Sequence, residues 1–179
     1  AAQPSGQAQA SGSAAAKTRG IETSANAQAS AEARFKAPKG WTAEGSAKLE
    51  AMYADARRHE LRPDPIANRV AEGYAKGSAE STILLSASKV KANMEASQRA
   101  MVSAGRPHPS AEESERGASA MERGVTEAQI EAMARHTPND RSLVVAFDVL
   151  SRLAARGVPV TKALAQVQAK IDARASDSA

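Results

Sequence analysis

Large apolar side chains are almost absent from the first forty residues of this sequence and abundant after them. Only Ile21 and Phe35 precede Trp41, whereas residues 41–179 hold 31 such side chains. A buried core needs them, so the chain can build one only after about residue 40. Residues 1–40 are rich in Ala, Ser, Gln and Gly and carry no repeating apolar face, so little can offset the entropy of ordering them. They are expected to form a flexible, disordered tail. Residues 41–179 are expected to form the folded domain, with its best-defined core over 125–174. The 42% hydrophobic content agrees with this once dissected, because 42 of the residues so counted are alanine.

Several function classes are excluded at this level. With no cysteine in the chain, disulfide scaffolds, thiolate zinc sites and cysteine nucleophiles are out. The longest strongly apolar run, Leu143 to Phe147, is far short of the roughly 20 residues that span a bilayer. The net charge of +4 invites a nucleic-acid reading, but the excess is spread thinly. Residues 1–60 carry eight Lys/Arg against six Asp/Glu, and 61–120 and 121–179 each carry eight against seven. A phosphate-binding surface needs concentrated positive charge, so a mixed solvated surface without specific nucleic-acid binding is expected. The chain starts at Ala1 without methionine, and its small polar start resembles the region behind a cleaved secretory signal. A shortened chain would begin the same way. A periplasmic or secreted location is the expectation.

From Trp41 the pattern is helical and punctuated by glycine. Leu49, Met52, Tyr53 and Ala56 make one face of a helix over about 43–60. Asp64-Pro65 reads as N-cap and first helical residue, opening a helix through Ile66, Val70 and Tyr74 to Gly77. A long helix over about 79–104 carries Ile83, Ala87, Val90, Met94, Ser97 and Met101 in a heptad-like seam. Its small residues suit an intramolecular bundle better than a dimer zipper, and a monomer is expected. Arg106-Pro107-His108-Pro109 is an extended connector. Ser110 and Glu113 form a capping box for a helix to Arg123, and Thr126 with Gln129 forms another, stapled by Val125 and Ile130. Asn139 or Asp140 is expected to cap a helix over about 141–156 that is apolar on several sides and therefore buried. A last helix covers about 160–174. A buried strand is the alternative for 142–150, though a lone strand would lack a partner. The expected fold class is all-α: an irregular bundle of about six or seven helices built from αα-hairpins. Basic-Gly steps at Lys76-Gly77, Arg123-Gly124 and Arg156-Gly157 recur at unequal spacing, which generic helix caps would also give, so no regular solenoid is expected.

The stretch RSLVVAFDVLSRLAARGVPVTKALAQVQAKI, from Arg141 to Ile171, resembles a loose group of uncharacterised exported bacterial proteins. These carry an apolar helix running into a GVP corner and a second amphipathic helix. Upstream, PDPIANRVAEGYAKGSAESTI resembles the companion helix pair of that group. The resemblance covers roughly residues 60–175. It implies a helical, exported protein and no particular activity.

Chemistry is sparse. His59, His108 and His136 are the side chains suited to metal or acid–base work at neutral pH, and none lies in a zinc-helix motif. Exposed or helix-terminal structural roles are expected for each, and catalysis requires two of them to converge with carboxylates. Ser86–Lys89 and Ser88–Lys91 match S-x-x-K without the partner motifs of that chemistry, so a solvated helix face is expected. Glu112, Glu113 and Glu115 cluster at a helix N-terminus, where the dipole explains them. No catalytic residue, metal ligand or cofactor is expected. Two surfaces stand out as binding candidates. Arg34, Phe35, Lys36, Lys39 and Trp41, with Arg57 and Arg58 nearby, combine cations and aromatics suited to an anionic polymer or envelope surface. Met94 and Met101 are expected to line a groove between helices that takes a protein partner, since methionine adapts to varied surfaces. The reading is a non-catalytic structural or protein-interaction module. A weak anionic-polymer binder and an enzyme are the alternatives.

Overall fold

A computed structural model describes residues 35–176, with the helical backbone alone for 174–176. Among the described residues there are seven helices and no strand. They are α1 (Ala43–Arg58), α2 (Asp64–Ala75), α3 (Glu80–Ser103), α4 (Ala111–Met121), α5 (Glu127–His136), α6 (Val144–Ala155) and α7 (Val160–Ser176). All seven lie in one compact unit, Ala37–Ala179. The all-α bundle is therefore observed, and the strand alternative for 142–150 is not. Most of the expected flexible tail falls outside the described residues.

Local chemistry explains most helix ends. Thr42 caps α1 through its side chain, and both capping boxes, Ser110/Glu113 and Thr126/Gln129, are formed. Two starts differ from expectation. Pro63 takes the cap position of α2, and Asp64 lies in the first turn, where its charge complements the dipole. Neither Asn139 nor Asp140 caps α6, which begins three residues later with Leu143 in the cap position. The Leu143 amide instead donates to Glu113 Oε1 at 2.9 Å, so a carboxylate on α4 satisfies the start of α6.

Five helices close in the same way. A left-handed residue (Glu60, Gly77, Gly105, Gly124 or Gly157) follows α1, α2, α3, α4 and α6 respectively. In each the next amide reaches back to the last turn, as Ser78 N does to Gly73 O at 3.0 Å and Val158 N to Leu153 O at 3.1 Å. The three basic-Gly steps are thus the corners of three helix pairs, α2/α3, α4/α5 and α6/α7. Odd-numbered helices pack in series, α1 on α3, α3 on α5 and α5 on α7, while α4 packs on α6. Each pair after the first is therefore laid against the one before it.

Every residue of the α3 seam, from Ile83 to Met101, is buried within this single chain. One core cluster joins Met101 of α3 to Ile130, Met133, Leu143, Phe147, Leu150 and Val167. The interior continues through the first half, where Leu49, Tyr53, Ile66, Ile83 and Met94 are at most 2% exposed. Between α4, α6 and the loop before α6, Arg106 and Glu113 form a buried ion pair at 3.2 Å. Arg106 also donates to the carbonyls of Pro138 and Arg141 at 2.8 and 2.6 Å.

Candidate functional site

The sequence makes α6 apolar on several sides, which predicts a buried core helix. The structure corrects this. Leu143, Phe147 and Leu150 are fully buried, but Val145 is 68% and Val149 40% exposed. Val145 and Val149, one four-residue step apart, form a ridge on the face turned away from the core, and Leu153, one step further on, packs partly against the core. The ridge borders a groove of about 650 Å³ shared with α7, whose floor includes Ala146, Val167 and Ile171. Thr137, Ser142, Arg141, Gln166 and Lys170 complete its rim. The groove exists because α6/α7 is the last helix pair described: α4 and α5 cover its inner side, and nothing in the described chain covers the outer one. Fully burying a valine is worth about 1.5–3 kcal/mol, so the exposed ridge forgoes stability that a partner would supply. Among the described residues no helix is long and apolar enough to cross a membrane.

The methionines do not form an open groove: Met94 borders a cleft of only about 180 Å³, and Met101 does not line it. Met94 and Met101 are both 0% exposed. Heptad spacing correctly marked a packed face, but that face is filled by neighbouring helices of the same chain, so neither side chain is offered to a partner.

The basic-aromatic candidate falls on both sides of the division between units Ala1–Lys36 and Ala37–Ala179. Arg34 lies outside the described residues. Phe35 and Trp41 are partly buried, and Lys36, Lys39, Arg57 and Arg58 are exposed. Arg58 is paired with Asp55 on α1. Tyr74 donates from its hydroxyl to the Lys39 carbonyl at 3.4 Å. Glu80 of α3 accepts from the amide and hydroxyl of Thr42 at 2.8 and 2.6 Å. These bonds fix the entry to α1.

The histidines have three separate sets of neighbours. His136 at the end of α5 meets Asp172 of α7 at 2.7 Å. His108 lines a cleft with Arg106 and the 139–142 loop. His59 groups with Asp55 and Glu95, whose ligating atoms all lie within 4.8 Å of one another. That spacing resembles a metal triad, but the Lys91 ammonium is already paired with both carboxylates. Lys91 and Arg58 hold the Asp55 carboxyl below its usual pKa. A divalent cation would have to displace Lys91. The pairing also corrects one expectation: Lys91 of the Ser88–Lys91 match is only 17% exposed and belongs to an ion cluster joining α1 and α3, not to a solvated face. Of the acidic trio, Glu113 is buried with Arg106, while Glu112 and Glu115 lie about 4 Å from Arg116 and Arg62.

Comparison with protein-family models, with curated proteins and with solved structures gave no match.

Proposed function

We propose that this chain is a non-catalytic protein-interaction module of an exported bacterial protein, and that it binds its partner through the α6–α7 groove. The observation that carries this reading is the solvent-facing Val145–Val149 ridge beside an apolar groove on a helix whose opposite side, through Leu143, Phe147 and Leu150, is fully buried. Contiguous exposed apolar surface with a polar rim is a mark of an interaction site. Export, to the periplasm or beyond, is supported by the composition of the first forty residues and by the family resemblance around the GVP corner.

A second reading uses the basic and aromatic sequence segment 34–41 to hold an anionic polymer. Affinity capture from the envelope fraction of the source cell separates the two. The expected result is a partner retained by the whole protein and by a form lacking residues 1–41, and lost when Val145 and Val149 are replaced by threonine. A partner lost only with residues 1–41 would favour the polymer-binding segment and count against the groove.

A further inference from the structure

The groove sits in a stretch of the chain with an excess of positive charge, bounded by Asp140 before it and Asp177 after it. Between residues 141 and 176 there are six cationic side chains, Arg141, Arg152, Arg156, Lys162, Lys170 and Arg174, against Asp148 and Asp172 alone. That excess of four equals the net charge of the whole protein, and the rest of the chain carries eighteen charges of each sign. Both acids are engaged, Asp148 with Arg152 at 2.8 Å and Asp172 with His136 at 2.7 Å. Among the described residues lining the groove there is no carboxylate, while Arg141 and the exposed Lys170 stand on its rim.

We infer that the α6–α7 groove takes an amphipathic helix of an acidic partner. This rests on the reading of the groove as the binding face. Successive helices in this fold lie against earlier ones, α4 and α5 on α3, α6 on α4 and α7 on α6, and the outer side of α6 and α7 is left open to a further helix. Apolar residues at three- and four-residue steps would meet Val145, Val149 and Ile171, and carboxylates flanking that stripe would meet Arg141 and Lys170 on the rim. The charge argues against a second copy of this chain, which would place two hairpins of the same strong sign face to face. An anionic polymer would satisfy the cations but leave the valine ridge uncovered.

The probes are two synthetic helical peptides of about 18 residues, long enough to hold a helix. They share one leucine stripe and differ only in carrying Glu or Lys on the flanks. Fluorescence anisotropy against the whole protein should show the Glu peptide binding at least roughly tenfold more tightly, with the gap shrinking severalfold at high salt. Val145→Thr with Val149→Thr keeps side-chain shape and adds no charge, and should abolish binding. Lys170→Glu should narrow the preference while the protein stays folded by circular dichroism. Equal binding of both peptides, still lost in the threonine variant, would overturn the acidic assignment and leave the groove reading standing. Binding that ignores the threonine substitutions would overturn the groove itself. Failure of both peptides to bind would overturn the inference, as would self-association through Val145 and Val149 in sedimentation equilibrium.

Discussion

Ser97 of α3 lies directly over Gly117 of α4, so close that a Cβ on the glycine would stand 1.9 Å from the Ser97 Oγ. Only a hydrogen fits in that position, which is why these helices approach as they do. The serine is fully buried, and its hydroxyl has no hydrogen-bond partner among the described residues. Ser97→Ala is therefore expected to raise unfolding free energy by about 1 kcal/mol, because an unsatisfied buried hydroxyl is removed. Gly117→Ala should lower it by about 1–3 kcal/mol through overpacking. Ser97→Ala should restore only part of that loss, since the Ser97 Cβ itself would be 3.0 Å away. Urea denaturation of the three variants checks the set.

Glu113 is expected to govern acid stability. Burial alone would raise its pKa, but the amides of Leu143 and Ser110, the Ser110 hydroxyl and Arg106 outweigh this and hold it below its ordinary 4.5. A depressed folded pKa contributes stability that is complete above the unfolded value and lost as pH falls through the folded one. Stability should thus decline below about pH 4.5, and Glu113→Gln should flatten that slope. Glu113→Ala should cost about 3 kcal/mol at neutral pH, because Arg106 is left buried without its anion. Denaturation curves across pH 2–7 test both statements, with an unchanged acid slope in Glu113→Gln as the contrary result.

Glu60 ends α1 at φ 57, in the position that glycine fills at the other four closures of this kind. A left-handed conformation costs an L-residue about 1–2 kcal/mol. Glu60→Gly should therefore stabilise the domain by about 1 kcal/mol, less the extra freedom that glycine gives the unfolded chain. A lower melting temperature for the variant would show that the Glu60 side chain contributes something its exposed position does not indicate.

Two residues apart on α6, the same class of side chain should have opposite consequences. Phe147→Ala should cost about 3–5 kcal/mol, as a fully buried aromatic does. Val145→Thr with Val149→Thr should change stability by only about 0.5 kcal/mol, since both face solvent. Parallel thermal and urea melts would settle whether the ridge is surface or core.

Local signals were readable from sequence and non-local ones were not. Both capping boxes and the glycine closures depend on residues within one or two turns, so the helix starts at Ala111 and Glu127 follow directly. The start of α6 does not, because Glu113, thirty residues earlier, supplies its cap. Periodicity showed that Met94 and Met101 share a face but not what covers it, and the apolar girth of α6 did not reveal that its Val145 side would stay open. The charge bias of α6 and α7 is diluted over the final third of the sequence, because Glu122, Glu127, Glu131 and Asp140 precede those helices and Asp177 follows them.

The most direct test of the groove as binding face is a methyl NMR titration of the whole protein with the Glu-flanked amphipathic peptide. The account predicts shifts at the methyls of Val145, Val149, Val167 and Ile171, with Ile66, Val70 and Val90 unmoved. Shifts centred instead near α1 and the 35–41 segment, or shifts at none of the α6–α7 methyls, would contradict it.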